Sequence, residues 1–204
     1  MDTLANTRRR KEKLYLGYAG RRLTADNAKP AAPSEDGEIF ITHEGVRLIL
    51  RDIHPDDFEA LQRGFAGLTA QEVRYRFLHP ITELPEALAR KLCDIDREHA
   101  VALVLIDPPS AKEPEIHAVA RAFIDPVTLS AEFALVVQHQ LAGHGVGTLL
   151  MERLMEASRT LGATELWGDV LAENGTMLEL CEHLGFSRRP AFDDPGVIRV
   201  TKPL

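Results

Sequence analysis

The stretch from Ala131 to Leu161 constrains the fold of this chain more than any other. It opens with Glu132-Phe133-Ala134-Leu135-Val136-Val137, whose apolar and β-branched residues read as a buried strand. It closes with Val146, Leu149, Leu150, Leu154, Ala157 and Leu161 at three- and four-residue spacing, the stripe of an amphipathic helix. Between the two lie Gly143, Gly145 and Gly147. A helix start presents unpaired backbone N–H groups and the positive end of the helix dipole. Glycines let an anion come close to that backbone. The joint therefore reads as a cradle for a diphosphate.

The 204 residues fit one domain of ordinary size plus a tail, and a hydrophobic content of 45% supplies a normal core. Residues 1–36 hold eight Lys/Arg and five Asp/Glu, a net of +3; with −7 overall, the remainder carries −10. We expect a basic, flexible leader over 1–37 and a single domain over 38–204. Leu14, Tyr15, Leu16 and Tyr18 form an apolar cluster in that leader, which also fits a contact segment. The acidic balance argues against a nucleic-acid surface. Cys93 and Cys181 lie far apart, so neither a disulfide framework nor a zinc site is expected, and no metal. The longest apolar run, Ala100 to Ile106, is too short to span a membrane, and no secretory signal follows the basic Arg8-Arg9-Arg10-Lys11. The expected location is the cytoplasm.

In chain order, the alternation of Val46, Leu48 and Leu50 with Arg47 and Arg51 predicts a strand to Asp52. His54-Pro55-Asp56-Asp57 predicts a helix start running to Gly67, and Thr69 with Glu72 predicts a capping box for a second helix ending before Pro80. A third helix is expected from Leu84 to Ile95. Strands then follow at 100–106, 116–124 and 131–137, with connections short enough for an antiparallel meander. After the glycine joint and its helix come a strand at Glu165–Val170, a helix from Asn174 to Leu184 stopped by Gly185, and last strands that include Val197 to Thr201. The fold class is α+β, built on a mixed, mostly antiparallel sheet flanked by helices.

Two familiar phosphate loops do not match. Counting the Rossmann Gly-x-Gly-x-x-Gly from Gly143 puts Thr148 at its last position, and counting from Gly145 puts Leu150 there; a Walker A loop needs a lysine that is absent. The order of strand, Gly143-His144-Gly145-Val146-Gly147-Thr148-Leu149-Leu150, Glu173-Asn174 and Leu184-Gly185-Phe186 resembles the GNAT superfamily of acyl-CoA-dependent N-acetyltransferases. Within it, Val73-Arg74-Tyr75-Arg76-Phe77, Ala118-Val119-Ala120-Arg121, Ala131 to Val137 and Leu171-Ala172-Glu173-Asn174 are similar to the GNAT domains of bacterial protein lysine acetyltransferases that modify acyl-CoA synthetases. Gln140-Leu141-Ala142-Gly143-His144-Gly145 satisfies the family's Gln/Arg-x-x-Gly-x-Gly/Ala signature literally. We favour the register in which Gly145 and Gly147 are the two glycines, which puts Ala142 at the Gln/Arg position and leaves the binding to backbone amides.

The resemblance implies a sheet with a splayed central strand pair and acetyl-CoA as co-substrate. It implies a pyrophosphate held by Ala142, Gly143, His144, Gly145, Val146, Gly147 and Thr148, and a carbonyl oxygen held by a strand N–H at Val136 or Val137. Asn174 would bond the pantetheine arm, cap its helix, or do both. It implies a catalytic glutamate at Glu132, which on a strand shares a face with Ala134 and Val136. A carboxylate opening an apolar strand would be partly desolvated, raising its pKa toward a general base's range; the residues alone also allow a strand-end glutamate in solvent. Glu173 is the second base, or a helix-start acid that complements the dipole. Arg74 and Arg76 stand where the family contacts substrate, or on a solvated face. Many members carry a tyrosine at the position of Cys181, which here reads as packing, and nothing in the sequence brings Tyr75 near the reaction. The expected partner is a protein with an exposed lysine, an acyl-CoA synthetase among the candidates. A small amine as acceptor and a non-catalytic acyl-CoA sensor are the alternatives.

Overall fold

The computed structural model describes residues 37–78, 81–192 and 194–204. The expected leader lies, but for Gly37, outside them. An edge hairpin, β1 (Glu38–Ile41) and β2 (Arg47–Asp52), is followed by a 3-10 turn at Pro55–Asp57 that runs into α1 (Phe58–Ala66). Helices α2 (Ala70–Phe77) and α3 (Glu86–Cys93) come next, then the strands β3 (Ala100–Ile106), β4 (Ile116–Ile124) and β5 (Ser130–Val137). The chain closes with α4 (Val146–Thr160), β6 (Glu165–Leu171), α5 (Gly175–His183), β7 (Ser187–Ala191) and β8 (Asp194–Pro203).

The eight strands form one sheet in the order β1-β2-β3-β4-β5-β6-β8-β7. Every neighbouring pair is antiparallel except β5 and β6. Those two are parallel and stay in register for three residue pairs only, from Ser130–Glu165 to Glu132–Trp167. Beyond Glu132 they part. This is the splayed pair, and it leaves one edge of β5 open inside the sheet.

Two cores lie on the two faces. Along α4, Val146, Leu150, Met151 and Leu154 are all but fully buried against Leu105, Ala120 and Phe133 of the sheet. Burial of each such aliphatic side chain contributes about 1.5–3 kcal/mol. On the opposite face Leu61 of α1 and Ala89 and Leu92 of α3 cover Ile49, Val104 and Val119. Helices on both faces explain one departure from the sequence pattern. Leu48, Ile49 and Leu50 are buried in succession, so β2 is a continuously apolar strand rather than an alternating one. Val46, expected inside that strand, sits in the preceding turn with half its surface exposed.

Helix starts follow local chemistry. Thr69 Oγ1 accepts from the Glu72 N–H while Glu72 Oε2 accepts from the Thr69 N–H, so the capping box forms as expected. Asp57 closes the turn before α1, accepting from the His54 N–H at 2.7 Å and from both terminal nitrogens of Arg51 at 2.7 and 2.8 Å. No helix among the described residues is long and apolar enough to cross a membrane.

Candidate active site

The gap between β5 and β6 is a cleft holding about 530 Å³ of open space. It is lined by Glu132, Ala134 and Leu135 of β5, Asp169 of β6, Asn174 and Met177 at the start of α5, and Tyr75 and Arg76 of α2. Glu132 is half-buried and stands at the last paired position before the strands separate. As the alternation required, it shares its face with Ala134 and Val136, while Phe133 joins the core under α4.

The β5 backbone has two directions to offer. The Gln138 N–H donates to the His117 carbonyl, and β4 and β5 stay in regular register up to Val137. By antiparallel alternation the amides of Ala134 and Val136 point to β4, and those of Leu135 and Val137 point into the gap. Of the two positions expected to offer a donor, Val137 therefore has its N–H turned the right way. Val136 instead gives its amide to β4 and its side chain to the face that carries Glu132.

At the glycine joint, α4 begins at Val146 with Gly145 as N-cap at φ 77° and Gly143 at φ 79°. A Cβ at Gly145 would meet nothing within 4 Å, so the space over that backbone is open. Gly147 differs: a Cβ there would lie 3.1 Å from Leu180 Cδ2, so its glycine serves close packing of α4 against α5. The amides of Gly143, Gly145, Val146, Gly147 and Thr148 have no acceptor among the described residues, whereas the His144 N–H donates to Leu141 at 3.4 Å. Ala142 is exposed and bears no polar side chain. The His144 ring packs 5.0 Å from that of His43 and its Nε2 lies 3.7 Å from Glu44, while its buried Nδ1 has no partner among the described residues. Free amides, open space over a left-handed glycine and an orphaned ring nitrogen together fit a diphosphate. The gap that follows fits an extended arm bonding along β5.

The remaining residues divide. Asn174 lines the cleft and also caps α5, its Oδ1 accepting from the Met177 N–H at 3.2 Å. Glu173 is not brought to the cleft wall. It is exposed and ion-paired with Arg74, whose Nε donates at 2.8 Å, so these two tie α2 to the β6–α5 turn. Arg76 lines the cleft and packs over the Phe77 ring at 4.9 Å.

Tyr75 is the residue that sequence reasoning missed. Its hydroxyl accepts from Gln71 Nε2 at 2.7 Å and donates to the Glu173 carbonyl at 3.3 Å, which sets it over the cleft. Its place one residue from Arg74 and Arg76 was the available signal. Asp169, chelated by Arg199 at 2.7 and 2.8 Å while that guanidinium covers Trp167, was likewise hidden until β6 and β8 were paired.

Cys181 faces the core under α5 with no exposed surface, and burial pushes its thiol up to about 12. Cys93, also buried, is raised to about 12 by the same cause. At pH 8 a thiol of that kind is about one part in ten thousand thiolate. Both cysteines of the native protein are therefore expected to react with Ellman's reagent at least about a hundredfold more slowly than after denaturation. Rapid labelling of one thiol in the folded protein would show that Cys181 or Cys93 reaches solvent.

A parallel strand pair that splays beside a glycine-capped helix is the arrangement that the resemblance to CoA-dependent acyltransferases implied. A family model for the acetyltransferase (GNAT) domain matches residues 47–187, and the chain belongs to that family of N-acetyltransferases. Over 164 residues it is 26% identical to an acetyltransferase of Pseudomonas aeruginosa, covering 80% of this chain and 88% of that one. Over 70 residues it is 33% identical to the ribosomal protein bS18-alanine N-acetyltransferase of Salmonella typhimurium, covering 34% of this chain and 45% of that one. Among solved structures it resembles the GNAT domain of S. lividans PAT with a TM-score of 0.72 and 23% identity, covering 85% of this chain and all of that domain. It also resembles spermidine N-acetyltransferase from Vibrio cholerae in complex with CoA and spermine, with a TM-score of 0.59 and 21% identity over 76% of this chain and 95% of that one.

Proposed function

We propose that the protein is a cytoplasmic enzyme that transfers acetyl from acetyl-CoA to a lysine side-chain amine of another protein, with Glu132 as general base. The observation that carries this reading is the position of Glu132, half-buried at the point where β5 and β6 separate. Acetyl-CoA supplies an activated thioester. The protein's part is to bind, orient and move a proton. The amides from Gly143 to Thr148 would hold the pyrophosphate, the Leu135 and Val137 amides and Asn174 would hold the pantetheine arm, and one strand amide would face the carbonyl oxygen. A lysine amine lies about three units above neutral pH in its ordinary state, so it must lose a proton before it can attack. Glu132 accepts that proton on the cleft side of the sheet. Cys181, sealed in the core, gives none to the departing sulfur.

A protein acceptor is supported by the fold shared with the GNAT domain of S. lividans PAT and by the −10 carried outside residues 1–36, which favours a basic segment. Acyl-CoA synthetases are the acceptors to try first. Radiolabelled acetyl-CoA, the protein and a panel of purified acyl-CoA synthetases should give label on an acceptor lysine. Turnover of spermidine or free amino acids with no labelled protein would move the acceptor to a small amine. CoA binding without any transfer would make the protein a sensor.

A further inference from the structure

A second recess opens on the face of the sheet that carries Glu132. It lies between the helices α1–α3 and strands β4 and β5, and holds about 480 Å³ of open space. Its walls include Leu61, Phe65, Phe77 and Leu92, and its floor includes Val119 and Val136. Arg76 lines both this recess and the cleft, so the two adjoin. Val136 stands next to the β5 amide turned toward the gap, so a chain extending from the thioester carbon would run into this recess. A two-carbon acetyl group needs no cation.

A second arginine, Arg121, also lines the recess. Arg121 pairs in register with Ala134, two residues along β5 from Glu132 and on the same face. Its Nη2 donates to the Leu92 carbonyl in the last turn of α3. Among the described residues no carboxylate forms an ion pair with it. Burial, and then the like charge of Arg76, depress its pKa to about 10. A cation so placed is costly to keep without an opposite charge, and an arriving carboxylate would relieve it. The other end of the recess offers no such attraction. There His117 bonds Asp107 and Gln138, and Gln138 bonds Glu115, a network already closed on itself.

Resting on the proposed function, we infer that this recess is an acyl pocket that accepts, beside acetyl, a short acyl chain ending in a carboxylate, held by Arg121 and Arg76. The donor class is a dicarboxylic acyl-CoA of the succinyl type. The apolar walls would hold the methylenes, and the guanidiniums would take the carboxylate in charge-assisted hydrogen bonds.

Titration calorimetry with CoA, acetyl-CoA, butyryl-CoA and succinyl-CoA tests this. Butyryl has the chain length of succinyl without the charge. Succinyl-CoA should bind about tenfold or more tightly than butyryl-CoA to the native protein. Arg121→Met should cancel that ratio, Arg121→Lys should keep part of it, and the affinity for CoA itself should not change in either. Arg76→Gln should reduce the ratio too, which keeps the test open if Arg121→Met does not fold. Were Arg121 only a cap for α3, Arg121→Met would lower the melting temperature and leave the ratio intact, and the inference would fail. It would also fail if succinyl-CoA bound no better than butyryl-CoA while CoA bound well. Loss of all CoA binding by the native protein would take down the proposed function with it.

Discussion

Glu132→Gln is expected to lower the acyl-transfer rate by about 10²–10⁴-fold, the range that a positioned general base contributes, with CoA affinity unchanged. The amide has nearly the shape of the carboxylate and cannot accept the amine's proton. The residue lies on the strand face away from the α4 core, so the substitution leaves that packing alone. The defect should shrink as pH rises, because an increasing fraction of the acceptor amine is then already neutral. Glu173→Gln provides the contrast. Glu173 is exposed and bonded to Arg74 outside the cleft wall, so removing its charge should cost less than about fivefold in rate and, as for other exposed pairs, less than about 1 kcal/mol in stability. Initial rates of both variants across pH, beside calorimetric CoA affinities, decide between them. Full activity in Glu132→Gln would remove it as the base, and a larger loss in Glu173→Gln would transfer the role.

Gly145→Pro should abolish measurable CoA binding, raising Kd by about a hundredfold or more. Gly145 is held at φ 77°, and proline is fixed near −65°, so the chain cannot turn into α4 along its present path. Five amides without an acceptor among the described residues, from Gly143 to Thr148, are aligned by that turn, and the affinity for a diphosphate rests on their common direction because Ala142 adds no polar group. The helix itself has its packing residues Leu150, Met151 and Leu154 well inside, so circular dichroism should still report a folded protein. Intact CoA binding in a folded Gly145→Pro variant would reduce the glycine joint to a structural turn.

The parts of this molecule that were legible in its sequence are those with a strong local signal. The α4 stripe, the Thr69–Glu72 capping box and the apolar run of β3 each declare themselves within a few residues, and each formed. Gly185 marked the end of α5 for the same reason. The edge strands did not. β1 has four residues, two of them, Ile39 and Ile41, with apolar side chains facing outward, and β7 presents Arg188, Arg189 and Pro190 at exposed positions. Such strands exist through pairing with β2 and β8, which no local pattern records. The same division runs through the site. The glycine joint and Glu132 sit on one continuous stretch and could be read there. The cleft that gives Glu132 its surroundings brings Tyr75 of α2, Asp169 of β6 and Asn174 together from across the chain, and only the β5–β6 register places them. Val136 and Val137 show the limit most finely. Their residue types are the same, and only the hydrogen-bond alternation with β4 tells which amide faces the gap.

A crystal structure of the protein with acetyl-CoA would show whether the β5–β6 gap holds the co-substrate with its thioester at Glu132. The pyrophosphate oxygens are expected within hydrogen-bond distance of the amides between Gly143 and Thr148, the pantetheine arm bonded along the open edge of β5, and the thioester beside Glu132. Density for the cofactor outside the β5–β6 gap, or a thioester carbon out of reach of any amine that Glu132 could deprotonate, would contradict it.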